Sequence, residues 1–162
     1  VSDEAQPNRN RLAEVKLDER SLPRGLADRD HECAAAVFDL IEDNRFGVRG
    51  RDDGPYSLRI AQVESRLSFE VSTSAGAPVV EFAVSMTPFR PLLKDYFNIC
   101  ENYYTAIRSA GPRQIQEMDR ARTALHNEGA GLLAARLADK VEIDEATARR
   151  LFTLVSALHW HP

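Results

Sequence analysis

Hydrophobic positions along the chain follow two rhythms. Ala13, Val15 and Leu17 alternate with Glu14, Lys16 and Asp18, the period of two that marks a short half-buried strand. After a break at Ser21-Leu22-Pro23-Arg24-Gly25 the spacing changes to three and four. Cys33, Val37, Leu40 and Ile41 make the stripe of a helix that starts near Asp28 or Asp30, either of which suits a cap, and ends near Asn44. The stretch between Phe46-Gly47 and Gly54-Pro55 holds Arg49, Arg51, Asp52 and Asp53, and it reads as an exposed loop. Period two then returns three times, at Tyr56, Leu58 and Ile60, at Leu67, Phe69 and Val71, and at Val80, Phe82, Val84 and Met86. Turns at Glu64-Ser65 and Ser74-Ala75-Gly76 are short enough to make these three strands an antiparallel meander.

The chain after Met86 is helical. Phe89, Leu92, Leu93, Tyr96, Phe97, Cys100, Tyr103, Tyr104 and Ile107 keep one helix face over residues 87–108, with Thr87 as cap, Pro88 first and Pro91 in the first turn. This aromatic stripe is the expected centre of the core. A third helix carries Ile115, Met118, Leu125, Leu132, Leu133 and Leu137. Gly129 and Gly131 interrupt it at about 1 kcal/mol each relative to alanine, which predicts a kink or two segments. Asp144 caps a last helix striped by Leu151, Leu154, Val155 and Leu158. The pattern predicts an α+β fold: an antiparallel sheet of three to four strands, covered on one face by helices in two layers, with a helical C-terminal half. Residues 1–10 read as a mobile tail before a single domain over 11–162.

Composition narrows the function classes. With 28% charged and 43% hydrophobic residues in 162, the chain has ordinary globular make-up for one domain. A formal net charge of −4, its signs interspersed, disfavours nucleic acid as a partner. A basic stripe from Arg113, Arg120, Arg122, Lys140, Arg149 and Arg150 would need the helices to line up. No apolar run approaches the ~18 residues of a membrane span, and the opening VSDEAQPNRNR has no apolar signal region. Cys33 and Cys100 sit at apolar helix positions, as reduced thiols do. The expectation is a cytoplasmic protein without membrane contact.

One polar cluster stands out. Arg122 and His126 are helical neighbours close to the Met118, Leu125 and Leu133 stripe, and Asn127, Glu128 and Gly129 follow them. Polar side chains on a buried stripe must be hydrogen-bonded or face a cavity. As a small-anion site, Arg122 holds the anion, His126 moves a proton and Glu128 or Asn127 orients them. Lys94 and Asn98 join from the preceding helix if the two helices pair suitably. As a structural interface, the same residues are satisfied by an Arg–carboxylate pair and a His–backbone bond. Asp30-His31-Glu32-Cys33 and His159-Trp160-His161 offer ligand types but not the paired spacing of a metal site, so no metal is expected. No phosphate-binding glycine loop or nucleophile elbow occurs, which leaves no catalytic residue assigned and no cofactor expected. Trp160 either docks back or anchors a partner.

Two function classes follow. The first is a non-enzymatic binding or interaction module, its partner a protein or a second copy. It would use the small residues Ser57, Ala61, Ser68, Ser72, Ala83 and Ser85 on the sheet's outer face, or a sheet edge. The alternative is a small enzyme or sensor for an anionic, phosphate-bearing metabolite, using Arg122, His126 and Glu128 with Lys94.

Five segments carry a resemblance. KDYFNICENYY at 94–104, RTALHNEGA at 122–130, TARRLFTLVSALHW at 147–160, GPYSLRI at 54–60 and AVFDLIEDNRF at 36–46 resemble an uncharacterised bacterial family of the UPF series, met mainly in alphaproteobacteria. The likeness covers the chain after about residue 11, and it implies a bacterial cytosolic protein. It brings no activity, substrate or catalytic residue with it.

Overall fold

The structure, a computed structural model, describes residues 9–22 and 27–159. The tail at 1–8, the break at Pro23, Arg24 and Gly25, and Trp160 and His161 lie outside the described residues. The elements in order are β1 (Leu12–Leu17), α1 (Ala27–Glu42), β2 (Phe46–Val48), β3 (Tyr56–Val63), β4 (Arg66–Thr73) and β5 (Pro78–Ser85). A 3-10 turn (Thr87–Phe89) then leads into α2 (Arg90–Ala106), α3 (Pro112–Leu137), β6 (Val141–Ile143) and α4 (Glu145–Leu158).

This is the expected α+β class, with its C-terminal half helical. The main sheet has the order β1-β3-β4-β5, and β3, β4 and β5 form the antiparallel meander that the alternation and short turns predict. Val71, Phe69 and Leu67 face the core together with Tyr56, Leu58 and Ile60, while Glu70, Ser68, Arg59 and Ser57 turn to the other face. The strand β1 departs from the antiparallel expectation. It runs parallel to β3, so the sheet is mixed. A parallel neighbour needs a crossover, and α1 provides it.

Three further expectations are corrected. The loop after α1 contains a strand: β2 pairs with β6 in a small second sheet, and Phe46 and Val48 are buried. Three-residue strands are too short to show a period, and these partners lie far apart in sequence. Thr87 opens the 3-10 turn and caps nothing with its side chain, whereas α2 begins at Arg90 with Pro91 in its first turn. The third correction is that α3 runs unbroken through Gly129 and Gly131. A Cβ on Gly129 would meet the Phe152 ring at 2.2 Å, so this glycine is where α4 presses a ring against the α3 backbone. At Gly131 a Cβ would meet nothing within 4 Å among the described residues.

The core is centred on α4, not on the aromatic stripe of α2. Packed between α1 and α3, α4 buries Leu151, Phe152, Leu154, Val155 and Leu158 along with Thr147, Ala148 and Ser156. By contrast α2 packs on α3 and buries Leu92, Leu93 and Ala106, while Tyr104 is 70% exposed. Asp144 caps α4 as expected, its carboxylate accepting the Thr147 N–H at 2.9 Å. Side chains then tie the turn between α1 and β2 to its surroundings. Asn44 accepts the Leu12 N–H at 2.7 Å and donates to the carbonyls of Leu12 and Leu40, while buried Thr147 accepts the Arg45 N–H at 2.8 Å. On the N-terminal side, the Asn10 carbonyl accepts the Phe46 N–H.

Candidate functional site

The helices α2 and α3 form an antiparallel hairpin joined by residues 107–111, and the sequence-predicted cluster lies along its inner seam. Arg122 and His126 are brought together there. The Arg122 guanidinium pairs with Asp119 at 2.5 Å, one turn earlier on α3, and stacks over the Tyr103 ring at 4.7 Å. The Asp119 carboxylate is the first cause that holds the arginine firmly protonated. Its Nε is buried without a hydrogen-bond partner among the described residues. Above it on α2, burial raises the thiol of Cys100 and the phenol of Tyr96 from their ordinary values. Neither therefore offers an anion near neutral pH.

His126 is held by aromatic rings. It packs against Phe152 with ring centroids 5.2 Å apart and against Tyr96 at 5.7 Å, and its Nε2 shares a hydrogen bond with the Thr153 hydroxyl at 2.8 Å. Thr153 in turn donates to the Arg149 carbonyl on its own helix. Burial, then the charges of Arg149 and Arg122, press the imidazole below its ordinary value of 6.5. Held neutral beside two arginines, it works as a packed ring with one polar tether.

The other predicted residues do not join this seam. Lys94 and Asn98 are exposed, each two residues from Tyr96 and so about 200° away round the helix from the ring that meets His126. Asn127 is exposed. Glu128 is exposed too and, with Asp95, lines a shallow groove of ≈ 370 Å³ whose floor includes Pro88, Pro91, Leu92 and Leu125. Two carboxylates on that groove give it the wrong sign for an anion. Among the described residues no three histidines, cysteines or carboxylates are placed to hold a metal.

The partners of the cluster differ in how visible they are in the sequence. Asp119 stands three residues before Arg122, a spacing at which helical ion pairs form, so it was open to prediction. Tyr103 and Thr153 come from other helices, and no local signal points to them.

The comparisons with known proteins extend over almost the whole chain. Residues 9–161 match the model of the uncharacterised protein family UPF0262. The chain belongs to this family. A UPF0262 protein of Methylobacterium radiotolerans is 52% identical over 97% of this chain and 98% of its own length. That of Azorhizobium caulinodans is 52% identical over 95% and 96%, and that of Hyphomonas neptunium 51% identical over 93% of each chain. No solved structure matches. The expected membership of an uncharacterised bacterial family therefore holds, and UPF0262 supplies no activity from which to assign the Arg122 and His126 seam. No helix among the described residues is long and apolar enough to cross a membrane.

Proposed function

We propose that this UPF0262 chain is a cytoplasmic, non-enzymatic interaction module that binds another protein through the tip of the α2–α3 hairpin. The observation that carries this reading is the exposure of Tyr104, 70%, and Ile107, 50%, three residues apart where α2 runs into the joining segment. Tyr103 packs edge-on against Tyr104, at 6.1 Å between centroids. Rigid, amphipathic tyrosines beside aliphatic groups are the residues on which protein interfaces concentrate their binding energy. The reading is also supported by what the polar cluster does. Arg122 is paired with Asp119 and stacked, His126 is tethered to Thr153, and Lys94 and Asn98 are exposed on another side of α2, so the groups an anion-handling enzyme would need are not aimed together at one substrate.

The test is affinity purification of the tagged full chain from its native cell at low salt, beside the double variant Tyr104→Ser/Ile107→Ser. A protein retained in near-equal amount by the wild type and lost from the variant is the expected outcome. If nothing is retained, or the variant retains the same protein equally well, the tip is not the binding surface.

A further inference from the structure

The strand β5 ends the main sheet, and no strand pairs with its far side among the described residues. The phase of its hydrogen bonds can be read off. Met86 N–H donates to the Ser65 carbonyl at 2.9 Å, and Arg66 stands opposite Ser85. In an antiparallel pair the bonded residues alternate, so Phe82 and Val84 direct their backbone groups to β4. Glu81, Ala83 and Ser85 direct theirs to the open side. Most exposed edges are blunted by lysines or by covering segments. From Glu81 to Ser85 this one carries a single charge, while on the apolar face Val80 and Phe82 stay only partly buried.

Two charges beside this edge have no ion-pair partner among the described residues. Glu81 lies directly opposite Glu70 of β4, and Glu70 is already paired with Arg59 at 2.9 Å. Glu81 makes no ion pair among the described residues, and neither does Arg66, which is exposed on the same outer face. Within one chain they cannot meet, because Arg66 is level with Ser85, four residues along the strand from Glu81.

We infer that two copies of this chain pair along β5, antiparallel about a two-fold axis at Ala83, to make one continuous sheet. Only this register serves the orphan charges. An axis at Glu81 sets the two Glu81 carboxylates face to face, which is repulsive. An axis at Phe82 places Glu81 opposite Ala83, with Ser68 next in the row. The axis at Ala83 places Glu81 opposite the second copy's Ser85, and Arg66 of that copy is next in the row. Strands lie about 4.8 Å apart, so Arg66 spans two of them, roughly 10 Å, across a serine too small to block it. The Ser85 hydroxyl oxygen already accepts the Thr87 N–H, which leaves its proton for Glu81. On the inner face Phe82 lies across from Val84 of the other copy, extending the core over the partly buried edge. The contact is isologous and closes at two copies. It uses different residues from the α2–α3 tip, so either proposal can fail alone.

Two measurements on the full chain test the inference. Sedimentation equilibrium across micromolar concentrations is expected to give a dimer, and amide exchange is expected to slow at Glu81, Ala83 and Ser85 as dimer forms, with Phe82 and Val84 protected throughout. Arg66→Glu should weaken the dimer about tenfold through two symmetric repulsions, and Glu81→Arg added to it should restore the affinity. Ala83→Pro, which removes an outward N–H that the monomer does not use, should leave a folded monomer. A monomer at high micromolar concentration overturns the proposal, as does a dimer whose Ala83 amide exchanges freely or whose charge swap fails to rescue.

Discussion

The helices α2 and α4 have equally clear apolar stripes, yet they hold opposite ranks in the fold. The stripe of α2 is richer in aromatics, but beyond Phe89 in the preceding turn only Leu92, Leu93 and Ala106 are buried, and Tyr104 and the Ile107 that follows the helix stand in water. In α4 the buried positions run from Thr147 to Leu158 and spread over about half the helix circumference at 100° per residue. The difference lies in the number of neighbours. With α1 on one side, α3 on the other and the sheet's apolar residues joined to the same cluster, α4 is covered from several directions, while α2 sits at the rim against α3. A stripe tells which way a helix faces. How much of it is covered is decided by chain topology. Tyrosines suit the rim because one end is apolar and the other tolerates water.

The strongest challenge to this ranking is to truncate one large residue on each helix. Phe152→Ala should cost about 3–5 kcal/mol in a denaturant titration, whereas Tyr104→Ala should stay within about 0.5 kcal/mol. Similar losses at both positions would mean that α2 shares the core equally. Next in size is the joint between α3 and α4. Gly129→Ala should destabilise by about 1–3 kcal/mol despite its better helix propensity, and by less in a Phe152→Leu background, because the added methyl lands on the Phe152 ring.

A smaller effect concerns pH. Folding lowers the pKa of His126, chiefly by burial, so around and below 6.5 the unfolded chain binds more protons than the folded one. Stability should therefore be full above this value and decline as pH falls through it, levelling off below the folded pKa. His126→Gln should flatten that decline when thermal midpoints are followed between about pH 7.5 and 5. An unchanged slope would show that His126 is not a packed neutral ring. Smallest is Gly131→Ala, in open space two residues beyond Gly129, which should stabilise by about 0.5–1 kcal/mol.

Local chemistry was the legible part of the sequence. The meander was readable because each strand keeps its period for several residues and the turns are short. The Asp144 cap and the Pro91 first turn were readable because each acts within a few residues of itself. What escaped depends on distant segments. The pairing of Phe46 with Ile143, the parallel partnership of Leu12 with Tyr56 and the Asn44 clamp on Leu12 leave no periodic trace. The candidate cluster was half legible. Arg122 and His126 do share one face, but their partners Tyr103 and Thr153 arrive from other helices, and the exposure of Lys94 depends on which side of α2 meets α3.

The bare backbone at Gly129 also bears on how α3 is seated. Much of the first half of this helix is polar, so hydrophobic pattern alone would let it slide along its own axis. One turn on either side of Gly129 stand Leu125 and Leu133. A slip of one turn would drive a leucine into the Phe152 ring, which now rests where Gly129 has no side chain. The glycine acts as a notch and the ring as its catch. Together they give α3 a single seat, and α2, which packs on α3, takes its place from there.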